Sequence, residues 1–169
     1  KIRVKTFQSI SQKIYQRRHI EGKTSYSFSD LTDVVGMRIV TLYDDELIHA
    51  IQKVFNLLKA GIAAENPLFR PIGDSNNNNY VCWDCVREIE IYRRNALRSK
   101  FDPYVKAKES IEDHLKTFYP KEHPDHVLHL KKIRPRAPKD DIYSSIHFMI
   151  NGVGWIRECA IDIPIEIQV

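Results

Sequence analysis

The sequence predicts one mixed α/β (α+β) domain built around a single sheet, and three observations predict it. Ile161, Ile163, Ile165, Ile167 and Val169 alternate with Asp162, Pro164, Glu166 and Gln168, the period of a strand with one buried face. Ile48, Ile51, Phe55 and Leu58 recur at the spacing of an amphipathic helix. The chain has 169 residues, 43% hydrophobic and 28% charged, which suffices for one core and argues against a disordered or collagen-like chain. A formal charge of +4 accommodates a phosphate-rich ligand without indicating nucleic acid by itself. No apolar run approaches the ~18–20 residues of a membrane span, so no membrane association is expected. Three cysteines, an odd number, make no disulfide framework, and a reducing, cytoplasmic setting is expected. The start at Lys1, with neither Met nor an apolar leader, reads as an excised fragment.

Taken in order, Phe7, Ile10 and Ile14 predict a helix with an apolar stripe toward the core. Lys5, Ser9 and Lys13 recur every four residues on another face, turned to something anionic. After Gly36, the Ile, Val and Thr of 37–43 predict a strand. Asp44 or Asp45 caps the next helix, and Gly61 stops it. Gly73, Asp74 and Ser75 with Asn76, Asn77, Asn78 and Asn79 read as an exposed loop. Residues 83–100 and 102–118 read as two helices, the second with Asp102 as N-cap and Pro103 in its first turn. Pro120, Pro124, Pro135 and Pro138 forbid a long helix after that. Strands are expected at 145–150 and 159–169, with Asn151, Gly152 and Gly154 making the turn between them. Glu166 and Gln168 share the face opposite the isoleucines.

The chemistry-bearing residues follow from this layout. Lys131, Lys132, Arg134, Arg136 and Lys139, with no acid among them, lead directly to Tyr143 and His147. Asp33 precedes one expected strand and Glu166 projects from another. Two carboxylates on separate strands can share a divalent cation while Lys and Arg neutralise phosphate oxygens. That is the equipment of phosphoryl transfer, in which positioning and charge neutralisation dominate. Cys82 and Cys85 form a Cys-x-x-Cys with no second cysteine pair and only His123, His126 and His129 nearby, which favours packed thiols over zinc or redox work.

Arg3-Val4-Lys5, Ser9 and Lys13, then Asp33-Val34-Val35-Gly36-Met37-Arg38-Ile39, then Pro138-Lys139 with Tyr143-Ser144-Ser145-Ile146-His147, and finally Glu166-Ile167-Gln168, resemble the synthetase domain of the RelA/SpoT family. The blocks run in family order from Arg3 to Gln168. The resemblance implies a nucleotidyltransferase-like mixed sheet flanked by helices in one domain over 1–169; a long, mostly helical insertion at about 62–130 exceeds the compact family pattern, and the resemblance supplies no role for it. It implies an alarmone synthetase that moves the β,γ-pyrophosphate of ATP to the 3′-hydroxyl of GDP or GTP with Mg2+. By the same resemblance Arg3 lies on the donor adenine, and Lys5, Ser9 and Lys13 hold the ATP phosphates. Asp33 binds magnesium, and Glu166 assists the metal and activates the acceptor hydroxyl. Lys132 and Lys139 contact phosphate, Tyr143 stacks on the acceptor base, and His147 and Gln168 position the acceptor. The chain departs from the family pattern at Ile142, where glycine is usual, at Ser144, and after Lys132, where an acid is usual. Because these departures surround the acceptor, an adenosine nucleotide or the 3′ end of tRNA stands as an alternative acceptor. The cationic Arg87, Arg93, Arg94, Arg98 and Lys100 would then meet RNA. A non-catalytic nucleotide-binding domain is the third reading, and a homo-oligomer is compatible with all three.

Overall fold

The structure is a computed structural model. It describes residues 1–43, 45–63, 68–70, 81–92, 102–136, 144–156 and 159–169. Six strands form one mixed sheet in the order β1-β2-β6-β5-β3-β4. They are β1 (Ile2–Val4), β2 (Val35–Arg38), β3 (Val86–Tyr92), β4 (Ile133–Arg136), β5 (Ser145–Ile156) and β6 (Cys159–Gln168). β2 is parallel to β6 and β3 to β4, and the other neighbours are antiparallel. The helices among the described residues are α1 (Phe7–Tyr15), α2 (Glu46–Ile62), α3 (Pro103–Phe118) and the short α4 (His126–Leu130). The architecture is therefore mixed α+β. No helix among the described residues is long and apolar enough to cross a membrane.

Register separates the two faces of the sheet. Ile2, Met37, Ile167, Phe148, Ile89 and Ile133 align in one row across all six strands. On this apolar face Ile51, Val54, Phe55 and Leu58 of α2 and Ile111 and Leu115 of α3 join Trp83, Phe148 and Ile150 in the core. The period of two puts the intervening residues on the other face. One row there reads Arg3, Gly36, Glu166, Met149, Glu88, and the next reads Arg38, Gln168, His147, Glu90, Arg134.

Several expected elements form as the local signals require. Asp102 caps α3 by accepting from the Tyr104 amide at 2.9 Å, with Pro103 at the first helical position. α2 buries Ile51, Phe55 and Leu58 of its expected stripe against the sheet, with Leu47 buried where Ile48, only half-buried, was expected. β6 forms as a strand and buries Ile167 and Val169 as expected, whereas Ile161, Ile163 and Ile165 are half-buried and Pro164 on the opposite face is buried.

Other expectations are corrected. The second strand is Val35–Arg38, shifted from 37–43, because its pairing partners β1 and β6 lie opposite those residues. Gly61 does not stop α2. It lies buried inside the helix where Phe69 packs so closely that a Cβ would collide with the ring. Residues 83–100 do not start as a helix: Cys82–Cys85 is a 3-10 turn and Val86–Tyr92 is a strand. β3 buries Val86, Ile89 and Ile91 between β5 and β4, so a stretch assigned to the insertion supplies an interior strand of the sheet. Asn151, Gly152 and Gly154 do not turn. They continue β5, because Ile165 and Ile163 of β6 fill the space that side chains at the two glycines would need. α1 forms where expected, yet none of its residues is buried and Phe7 is 84% exposed, so its apolar stripe does not face the core. Asp44 and the asparagine-rich loop lie outside the described residues.

Candidate active site on the polar face of the sheet

The polar face of β1, β2 and β6 carries a cleft of about 250 Å3. Arg3, Lys5, Asp33, Glu166 and Gln168 line it, together with Lys1 and Arg38. Two local features bring the acids together. Asp33 ends the segment entering β2, and the Val34 amide donates to the Pro164 carbonyl at 3.1 Å, extending the parallel pairing of β2 with β6. Glu166 lies opposite Gly36 in that pairing, and Gly36 lies opposite Arg3. With no side chain at Gly36, the floor between Arg3 and Glu166 stays bare; a Cβ there would find only the Arg3 carbonyl oxygen, at 3.8 Å.

Asp33 is the electrostatic centre of one end. Lys5 Nζ donates to its Oδ2, and Lys13 Nζ donates to its Oδ1 at 2.8 Å. The Lys5 amide donates to the Val34 carbonyl at 2.9 Å, which fixes where the Lys5 side chain starts. Burial pushes the Asp33 carboxyl up, but the hydrogen bonds and charges of Lys13 and Lys5 outweigh it and hold the group below the ordinary carboxylate range. Ser9 sits one turn before Lys13 on α1, and its hydroxyl accepts from the Thr6 hydroxyl at 3.1 Å within the helix cap.

Glu166 is the centre of the other end. His147 Nδ1 is 2.9 Å from its Oε1, and Gln168 Nε2 donates to its Oε2 at 3.1 Å. Arg38 donates to the side-chain Oε1 of Gln168 from Nε at 3.0 Å and from Nη2 at 2.7 Å. Tyr92 stacks obliquely on His147 with ring centres 4.8 Å apart and donates to Glu90 at 2.8 Å. The carboxylate of Glu166 is thus held at both oxygens by side chains from β5 and β6.

Of the site residues expected from sequence, Arg3, Lys5, Asp33, Glu166 and Gln168 meet in the cleft, and Lys13 and His147 reach it through the two acids. Lys132 lies elsewhere. Its ammonium donates to the Trp83 carbonyl at 3.2 Å and lines a second cleft, of about 450 Å3, with Asp84, Arg87 and His129. Two cations of the expected basic run are neutralised on the sheet: Arg134 pairs with Glu88 at 3.0 Å, and Arg136 with Glu90 at 2.7 Å. Arg87 belongs to β3 and donates to Asn151 Oδ1 at 2.8 Å, so it is not part of a helical RNA surface. Lys139, Tyr143 and the residues 93–100 lie outside the described residues. The sequence motif gives Arg38 no role; the register of β2 with β6 places it beside Gln168. Cys82 and Cys85 are buried free thiols, pushed up to about 11 and about 12, first by burial and with a further push from the Asp84 charge.

Two hard carboxylates in one cleft suit magnesium, which is commonly held by one or two protein carboxylates plus substrate phosphates. Among the described residues no group of three or more His, Cys, Asp or Glu side chains could hold a metal unaided. Asp33 and Glu166, beside Arg3 and Lys5, are donors of the kind that hold a cation together with a phosphate ligand.

Fold and site together define a class: a mixed α+β domain with a cationic cleft around two carboxylates, one in the segment entering β2 and one on the neighbouring β6. Comparison with protein-family models, with curated proteins and with solved structures found no match in any of the three.

Proposed function

We propose that the cleft is the active site of an ATP-dependent pyrophosphokinase of RelA/SpoT type on a nucleotidyltransferase-like sheet, with GDP or GTP as acceptor. The observation that carries this reading is the convergence of Asp33 and Glu166, remote in sequence, on one cleft lined by Arg3 and Lys5. Lys5 and Lys13 neutralise the donor phosphates, and the planar Arg3 guanidinium supports the adenine. Asp33 and Glu166, together with phosphate oxygens, would hold a magnesium ion, which would supply charge neutralisation at the polyphosphate. Glu166 takes the proton of the acceptor 3′-hydroxyl, and that oxygen bonds to the β-phosphorus as the bond to the bridging α,β-oxygen breaks. The β,γ-pyrophosphate passes to the acceptor and AMP leaves. His147 and Gln168 hold the Glu166 carboxylate in position for this transfer.

The test is ATP labelled at the γ-phosphate, offered GDP, GTP, AMP and bulk tRNA in parallel. Labelled product with GDP or GTP is expected, and Glu166→Gln should lower turnover by about 10²–10⁴-fold with the circular dichroism spectrum retained. Near wild-type turnover in that variant refutes the site assignment. Product only with AMP or tRNA moves the reading to the alternative acceptors, and nucleotide binding without product moves it to a binding domain.

A further inference from the structure

Both oxygens of Asp33 are already taken, and by ammonium groups tethered to the same chain. Lys5 claims Oδ2 and Lys13 claims Oδ1 at 2.8 Å, while the Asp33 side chain is only 25% exposed. The tethers differ in kind: Lys5 follows β1 directly, whereas Lys13 sits on α1, a helix with no buried residue. Around the pair, Lys1, Arg3 and Arg38 add positive charge to a cleft whose lining acids are Asp33 and Glu166. A bare divalent cation approaching Asp33 meets excess positive charge and must displace two ligands whose effective concentration, set by short tethers, is about millimolar or higher.

A polyphosphate changes that balance. Its oxygens offer the two ammonium groups charge-assisted hydrogen bonds of the same kind as those they leave. Each lysine exchanges one anionic partner for another, and the Asp33 oxygens become free to ligate. We infer that Lys5 and Lys13 occupy the cation position on Asp33 and make divalent-cation binding conditional on a bound polyphosphate that draws them off. This regulation of the cleft rests on the function proposed above. It makes cation and nucleotide positively coupled, and the coupling is reciprocal: each raises the affinity for the other by the same factor.

The experiment is a Mn2+ titration of the full chain followed by the electron paramagnetic resonance of free Mn2+, without nucleotide and with α,β-methylene-ATP. Wild type alone should show no saturable binding up to about 1 mM, while the complex with the analogue should bind. Lys13→Met, and Lys5→Met/Lys13→Met together, should bind Mn2+ about tenfold or more tightly without nucleotide, and adding Asp33→Asn should erase the gain. Lys13→Met removes the Asp33 contact from a helix with no buried residue and leaves the core untouched, so it serves if the double variant does not fold. Nucleotide-free wild type binding Mn2+ as tightly as folded Lys13→Met overturns the inference, as does a gain that survives Asp33→Asn. The transfer assay fails independently: a lysine-dependent Mn2+ gain with no product from any acceptor sinks the proposed activity and leaves the lysine exchange standing.

Discussion

Replacing Asp33 by Asn tests how α1 is fastened to the sheet, because that helix has so little else to hold it. α1 spans nine residues with none buried. Isolated helices shorter than ~12–15 residues are marginal in water, so α1 depends on its attachments. The side-chain attachment in its last turn is Lys13 to Asp33 at 2.8 Å, with Lys5 on the other carboxylate oxygen. Beyond its C-terminal end, Arg18 Nε donates to the Tyr26 carbonyl and the Arg17 guanidinium lies 6.0 Å from the Tyr26 ring centre. Asparagine keeps the shape of Asp33 but leaves two ammonium groups facing each other without a counter-charge. Two charge-assisted bonds in a partly exposed setting, discounted for solvent screening, give a loss of about 1.5–2 kcal/mol. The open population of α1 should then rise about 10–30-fold. Native-state hydrogen exchange read by mass spectrometry measures it: peptides from 7–15 should lose protection, while those from α2 and β5 should not. Unchanged protection in α1 refutes the reasoning, and equal loss in α2 and β5 refutes it differently, by making Asp33 a support of the whole domain.

Acid supplies a second reading of the same contact. Because the folded Asp33 carboxyl is held below its ordinary value, its stabilisation is complete above the unfolded pKa of ~3.9 and disappears as pH falls through the lower folded value. Wild-type α1 should therefore keep its exchange protection at pH 4.5 and lose it only in stronger acid, whereas Asp33→Asn should show no such step. His129 behaves differently: burial first, then the Lys132 charge, push it down to about 4 against the pull of Asp84. The unfolded chain takes up that proton near pH 6.5, so stability should fall by about 3 kcal/mol between pH 6.5 and 4. Urea unfolding at pH 7 and 4.5 should show this slope in wild type and a shallower one in His129→Gln; equal slopes count against it. Gly152→Ala places a Cβ against the Ile165 side chain and 3.1 Å from the Ile163 carbonyl, so it should cost about 1–3 kcal/mol in the same titration.

Parts of this molecule are written locally. The alternation of 161–169 specifies a strand with one apolar face wherever it is placed, and Asp102 with Pro103 specifies a helix start through a cap at 2.9 Å. The stripe of α2 is equally local. The misread stretches are those whose signal needs a remote partner to complete it. Glu88, Ile89, Glu90 and Ile91 do alternate, but they become a strand by pairing with His147 and Phe148 on one side and Ile133 and Arg134 on the other. Gly152 and Gly154 carry turn chemistry in isolation and strand chemistry once isoleucines from β6 lie over them.

The site divides in the same way. Residue types and spacing in the sequence determined which acids and lysines were candidates, including Lys5, Lys13, Asp33 and Glu166. Only the tertiary structure decided that Lys5 and Lys13 close on Asp33, that Arg38 steadies Gln168, and that Lys132 belongs to another cleft. The physical reason is the sheet register: a shift of one residue in the pairing of β2 with β6 would turn Glu166 to the apolar face. Long-range pairing fixes that register, and no stretch of local sequence contains it.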